Sequence, residues 1–210
     1  MHLDPFYPIV PDTAWLTRLL PQGVKLVQLR IKGEPADVVR AEITAAVALC
    51  TAHNCQLVVN DYWREAIDAG AGFVHLGQED LASADFTAIR DAGIKVGIST
   101  HSHEELDTAL TANADYVALG PIYETKLKKM PWSPQGLDRV AAWRTKVKCP
   151  LVAIGGITAE LAPDVLAAGA DSVAVITDIV TSEAPEERTR NWIAITEPWR
   201  HLSTRCPQRS

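Results

Sequence analysis

Two carboxylates, Asp61 and Asp80, stand where two short apolar runs stop. Leu57–Val59 gives way to Asn60-Asp61, and Phe73–Leu76 gives way to Gly77-Gln78-Glu79-Asp80. A helical segment from Tyr62 to Ala69 and a Gly70/Gly72 break lie between them, so the stretch reads strand, helix, strand, the pattern of a parallel βαβ unit. Neighbouring parallel strands end at one edge, which brings the two carboxylates toward a common point although 19 residues separate them. Paired hard oxygen ligands at such an edge suit Mg²⁺, which takes one or two protein carboxylates and completes its shell with water and phosphate oxygens. Either Asp alone could serve as a helix or turn cap. The pair at matching strand ends favours the metal.

A second group is cationic. Val27-Gln28-Leu29-Arg30-Ile31-Lys32 alternates with period two, so Gln28, Arg30 and Lys32 share one face and three aliphatic residues share the other. An aliphatic face belongs under helices, which turns the polar face toward the mouth of the fold. Two cations there are costly unless an anion binds them. Farther on, GPIYETKLKKM supplies Thr125, Lys126, Lys128 and Lys129, a charge run that is partly solvated surface. Another strand candidate ends in Ser99. Gly155-Gly156 and Ile176-Thr177 follow two further strands, where backbone amides can cradle a phosphate. Two anion sites result. One, with Arg30, Lys32, Lys128 and the Asp pair, suits a metal-bound pyrophosphate; the other, neutral and built from amides, suits a monophosphate. No nucleophile–base pair stands out. His75 reads as a packed or hydrogen-bonded strand residue, and His101 with His103 is too small a set for zinc. Positioning and electrostatic stabilisation of a leaving pyrophosphate is the chemistry such residues support.

The elements that must position these groups repeat along the chain. Strand candidates are Phe6–Val10, Leu26–Arg30, Leu57–Val59, Phe73–Leu76, Lys95–Ser99, Tyr116–Gly120, Leu151–Ile154 and Ser172–Ile176, each followed by a helical segment. The helices include Pro35 to His53, Ala159 to Ala168 and Glu186 to about Leu202. Continuous apolar strands suit a sheet covered on both faces. Eight βα units in 210 residues predict an α/β fold, a single (β/α)8 TIM barrel over residues 1–202 with a polar tail at 203–210. An open doubly wound sheet is the alternative, but no GxGxxG follows the first strand. A barrel carries its site at the C-terminal strand ends, where all the residues above fall.

Bulk properties narrow the partners. A net charge of −6 and a pI near 5.5 argue against nucleic acid. No run approaches the roughly 18 apolar residues of a membrane span, and MHLDPFYPIV lacks the pattern of a signal peptide. Four cysteines without CxxC spacing read as free thiols in a reducing compartment. The expectation is a cytoplasmic protein with small-molecule substrates and neither nucleic-acid nor membrane partners. A homo-oligomer is among the assemblies this allows.

From about Tyr7 to Val180 the chain resembles the thiamine phosphate synthase family. The resemblance rests on QLRIK (Gln28–Lys32), VVNDYW (Val58–Trp63), VHLGQEDL (Val74–Leu81), VGIST (Val96–Thr100), ALGPIYET-x-x-K (Ala118–Lys128), MPWSPQGL (Met130–Leu137) and VAIGGI (Val152–Ile157). It implies a barrel enzyme that joins hydroxymethylpyrimidine diphosphate to a thiazole phosphate, releasing pyrophosphate first and capturing a pyrimidine methyl cation. By resemblance, Arg30, Lys32, Asn60 and Lys128 hold the diphosphate, and Asp61 and Asp80 bind Mg²⁺. Gln28 and Ser99 contact the pyrimidine, and Thr125 with the Gly156, Ile176 and Thr177 amides holds the thiazole phosphate. Two stretches depart from the family pattern. Leu127 replaces a threonine of F-P-T-x-T-K, removing a hydroxyl worth about 1.5–3 kcal/mol to a charged partner. Ile176-Thr177-Asp178-Ile179 replaces V-S-A-I, and Asp178 either faces the phosphate and repels it or faces outward as a cap. A thiazole tautomerase would not need Arg30, Lys32, Asp61, Asp80 and Lys128 together; a non-catalytic phosphate-binding barrel has only Leu127 and Asp178 in its favour.

Overall fold

The structure is a computed structural model that describes residues 2–125 and 132–200. Its eight strands are β1 (Phe6–Val10), β2 (Leu26–Leu29), β3 (Gln56–Asn60), β4 (Phe73–Leu76), β5 (Lys95–Thr100), β6 (Tyr116–Leu119), β7 (Leu151–Ile154) and β8 (Ser172–Val175). They pair in chain order, all parallel, and β1 closes on β8. The helices are α1 (Thr13–Leu19), α2 (Ala36–Ala52), α3 (Trp63–Asp68), α4 (Phe86–Asp91), α5 (His103–Thr111), α6 (Gly136–Lys146), α7 (Ala162–Ala167), α8 (Thr177–Val180) and α9 (Pro185–Arg200). The predicted (β/α)8 barrel is the fold that forms.

Period-two alternation sorts the strand residues into two apolar layers. Val27, Leu29, Val59, Val74, Leu76 and Val117 face outward and pack under the helices with Ile43, Trp143 and Trp192. Leu26, Val58, Tyr116, Ala118, Val152 and Ala174 fill the inside. Gln28 therefore points into the barrel while its neighbours Val27 and Leu29 point out, as the QLRIK alternation predicts. Side-chain caps fix several helix starts: Asp12 accepts from Trp15 N (3.0 Å), Asp85 from Ala88 N (3.0 Å) and Ser102 from Glu105 N (3.3 Å).

One inward layer has an unusual gap. His75 on β4, Gly97 on β5 and Tyr116 on β6 stand in register, side by side. A Cβ on Gly97 would stand 1.9 Å from Tyr116 Cζ, so the phenol ring lies in the space where a side chain would be. The His75 and Tyr116 rings stack there with centroids 5.5 Å apart. Gly97→Ala is expected to displace the Tyr116 ring and to cost about 1–3 kcal/mol of stability, the usual penalty of overpacking; a shift of the denaturant midpoint at unchanged slope measures it.

Two local differences from the sequence reading have simple causes. The seventh helix begins at Ala162 rather than Ala159, because Thr158 O accepts from Leu161 N and Ala162 N (both 3.1 Å) in a turn that precedes it. Pro163, with φ already fixed, then suits the first turn of α7. Helix α8 is an addition: the strand candidate ends at Ile176, and no helix is expected between it and Glu186. The predicted end of the last helix at Leu202, the tail 203–210 and Cys206 lie outside the described residues.

Candidate active site

Asp61 sits just past β3 with φ +66°, a left-handed conformation that Asp tolerates better than most residues. Its amide donates to His75 O (2.9 Å), which ties the loop to the end of β4. Helix α3 has Tyr62 at its N-cap and no side-chain cap bond, so Asp61 is not the helix cap. Asp80 closes a 3-10 turn, Gln78–Asp80, and its Oδ2 accepts from Gly77 N (3.1 Å). Both carboxylates line one cleft of about 310 Å³ with Tyr62, Trp63 and Arg64. Partial burial, and then the charge of Asp61, push the Asp80 carboxyl above its ordinary value. Two like charges crowded in one cleft are what a divalent cation relieves. Among the described residues no group of three or more His, Cys, Asp or Glu could hold a metal. The pair therefore fits an ion that takes most of its shell from water and substrate, as Mg²⁺ does, rather than one held in an all-protein cage.

Beside this pair the cations are arranged unequally. Lys32 Nζ stands 2.5 Å from Asp61 Oδ2, so a side chain expected on phosphate and one expected on metal are paired with each other. The exposed Arg30 guanidinium has no hydrogen bond or ion pair among the described residues. Its amide is held by Val10 O (2.8 Å). Asn60 is 6% exposed, and its carboxamide also has no protein partner among the described residues. Lys126, Leu127, Lys128 and Lys129 lie outside them.

Gln28 and Ser99, the expected pyrimidine contacts, are linked through the barrel interior. Gln28 Nε2 donates to Tyr7 Oη, Tyr7 and Tyr116 join through their hydroxyls, and His75 bridges Tyr116 Oη to Ser99 Oγ. Gln78 Nε2 donates to Ser99 O (2.7 Å), fixing the strand end. Burial, its largest influence, lowers the His75 imidazole to about 4, so the ring is neutral at pH 7. Burial likewise raises both tyrosine hydroxyls well above their ordinary value. Sequence reasoning placed His75 as a bonded strand residue but missed Tyr7, Tyr116 and Gln78. The available signal was period two: Tyr7, Gln28, His75, Gly97, Ser99 and Tyr116 all occupy inward positions.

The opposite side of the mouth carries the amides. Ile154 pairs with Ala174 across β7 and β8, so Gly156 and Ile176 leave the sheet side by side two residues on. Gly155 and Gly156 both have positive φ (101° and 69°), and a Cβ on Gly156 would stand 2.4 Å from Glu124 O. No residue but glycine lets the loop after β7 approach the Ile122–Thr125 backbone this closely. Ile176 caps α8, whose first amides, starting at Thr177, have no intrahelical partner. Short extra helices after the last strand commonly provide the phosphate amides of such barrels. Thr125 directly follows Glu124, whose carbonyl lies against Gly156.

Asp178 faces outward. Its carboxylate accepts from Arg188 Nε (2.8 Å) and Nη2 (2.9 Å), Trp192 Nε1 (2.7 Å) and Ala159 N (3.3 Å). Arg188 in turn pairs with Glu160 (2.6 Å). Asp178 thus neutralises an arginine and ties α8 to α9 and to the loop after β7. It does not repel an anion at the mouth. Asp178→Ala is expected to cost about 1–3 kcal/mol, because it leaves the Trp192 indole N–H without its acceptor while Arg188 keeps its pair with Glu160; chemical denaturation measures that loss.

The fold defines a class: closed (β/α)8 barrels with charged strand-end side chains and loop amides gathered at the mouth. Comparison with known proteins makes the assignment specific. The family model described as "Thiamine monophosphate synthase" matches residues 7–179. A Rhizobium etli thiamine-phosphate synthase is 62% identical, over 96% of this chain and 100% of its own. The Salmonella typhimurium thiamine-phosphate synthase is 46% identical over 90% of each chain. Among solved structures, a thiamine phosphate pyrophosphorylase from Pyrococcus furiosus superposes with a TM-score of 0.83 at 28% identity, covering 93% of this chain and 96% of its own. The chain belongs to the thiamine monophosphate synthase family. No helix among the described residues is long and apolar enough to cross a membrane.

Proposed function

We propose that this protein is a thiamine-phosphate synthase, a transferase that alkylates the nitrogen of a thiazole phosphate with a hydroxymethylpyrimidine diphosphate. The bond between the pyrimidine methylene carbon and the diphosphate oxygen breaks, and its electron pair leaves with pyrophosphate. The thiazole nitrogen lone pair then forms the new C–N bond to the methylene cation. The observation that carries this reading is the cleft shared by Asp61 and Asp80, with Lys32 paired to Asp61 and an Arg30 side chain that has no partner among the described residues, opposite a glycine-and-helix corner.

Each residue has a stated part. Arg30, Lys32, Asn60 and Lys128 hold the diphosphate, with the exposed Lys32 side chain standing beside Asp61. Asp61 and Asp80 would hold Mg²⁺, which when bound would supply charge stabilisation to the departing pyrophosphate. Gln28 and Ser99 orient the pyrimidine. Thr125 and the amides of Gly156, Ile176 and Thr177 hold the thiazole phosphate. None of these groups needs to act as base or nucleophile; the site works by holding two reactants in line and receiving departing charge. The partners are the two small substrates, with no nucleic acid or membrane, and a homo-oligomer is compatible with this chemistry.

The test is a coupling assay read by mass, with pyrimidine diphosphate, thiazole phosphate and Mg²⁺ omitted one at a time. Thiamine phosphate should form only when all three are present. Intact substrates in the complete mixture would refute the assignment.

A further inference from the structure

Five side chains form a continuous hydrogen-bonded row across the barrel interior. Gln28 Nε2 donates to Tyr7 Oη at 2.9 Å, and Tyr7 Oη meets Tyr116 Oη at 3.1 Å. Tyr116 Oη lies 2.9 Å from His75 Nδ1, and His75 Nε2 lies 2.8 Å from Ser99 Oγ. The three middle members are enclosed, with Tyr7 1%, Tyr116 0% and His75 7% exposed. The gap at Gly97 is what admits the Tyr116 ring to the row.

Such a row has only two self-consistent states. A hydroxyl has one proton to donate, and a neutral imidazole carries one N–H. The arrangement in which every bond points the same way is the one that leaves no buried hydroxyl proton of the row without an acceptor. Because Gln28 donates to Tyr7, that arrangement has Tyr7 donating to Tyr116 and Tyr116 to His75 Nδ1. The imidazole proton is then on Nε2 and is given to Ser99 Oγ. The ends are left with complementary free groups: Gln28 Oε1, which has no protein partner among the described residues, is an acceptor, and the Ser99 hydroxyl proton is a donor. Reversal of the Gln28 amide would reverse all five members at once.

We propose that Tyr7, Tyr116 and His75 are positioning residues whose one-directional row fixes an acceptor at Gln28 and a donor at Ser99. This rests on the reading of Gln28 and Ser99 as pyrimidine contacts. The row then selects a heterocycle that presents an amino group to Gln28 and an unprotonated ring nitrogen to Ser99. It discriminates against an analogue in which a keto group replaces the amino group, because that oxygen would face Gln28 Oε1, another acceptor.

The tautomer of His75 tests the row without substrate. Two-bond ¹H–¹⁵N NMR of histidine-labelled protein, with His75 assigned by its loss in His75→Gln, should show the Nε2–H form. Tyr116→Phe should populate both tautomers. It should also raise KM for the pyrimidine diphosphate about tenfold, with KM for the thiazole phosphate unchanged. Should Tyr116→Phe not fold, Tyr7→Phe cuts the same row and should give the same KM pattern. An Nδ1–H form in the unmodified protein would overturn the proposed direction. A rise in pyrimidine KM on Gln28→Ala and Ser99→Ala, but not on breaking the row, would overturn the positioning role. Unchanged KM in Gln28→Ala and Ser99→Ala would instead refute the pyrimidine assignment beneath it.

Discussion

Asp61→Asn is expected to lower kcat about a thousandfold, since a bound metal supplies several kcal/mol to a departing oxyanion and each 1.36 kcal/mol is tenfold. Asparagine keeps the left-handed backbone of this position, so the loop between β3 and α3 should persist. The lost partner is Lys32, whose side chain is 54% exposed. Such surface pairs are worth about 0–1 kcal/mol, so thermal or chemical unfolding should barely shift. The Asp80 carboxyl, freed of its neighbour's charge, should fall toward its ordinary value. Steady-state rates over a Mg²⁺ titration, alongside an unfolding curve, separate catalysis from stability. Full activity in Asp61→Asn would remove the metal from the account.

Arg30→Ala should be the second large effect, and its selectivity is as informative as its size. Arg30 is exposed and has no side-chain partner among the described residues, so its loss should change stability by no more than about 0.5 kcal/mol. A guanidinium that grips a diphosphate with paired charge-assisted bonds contributes far more, and about a hundredfold rise in KM for the pyrimidine diphosphate is expected. The KM for the thiazole phosphate, whose proposed site is the Gly156–Thr177 corner, should stay put. Arg30→Lys should recover only part of the loss, because an ammonium cannot reproduce the planar fork. Equal rises in both KM values would mean that the two anion sites are not separate.

Much of this was legible in the chain itself, for identifiable reasons. Strand after strand is a short continuous apolar run, so eight βα units and their closure followed from pattern alone. The β2 alternation correctly turned Gln28 inward and Val27 and Leu29 outward. Matching strand ends correctly brought Asp61 and Asp80 to one cleft. Pairings between side chains were less readable. Nothing in the spacing of Lys32 and Asp61 says that they meet, since their contact depends on the curvature of the mouth and on the unusual φ of Asp61. The orientation of Asp178 could be settled only by Arg188 and Trp192, which reach it from α9. The Tyr7–Tyr116–His75 row was hidden because tyrosine and histidine on a strand are ordinary core residues until their hydroxyls and ring nitrogens are seen to align.

The most direct test of the central claim is the product balance of the complete reaction, with thiamine phosphate followed by mass and pyrophosphate by ³¹P NMR in the same Mg²⁺-containing mixture. The two should appear one for one, both absent when thiazole phosphate or metal is withheld. Release of pyrophosphate or phosphate with no thiamine phosphate would identify a hydrolase, and the coupling account would be wrong.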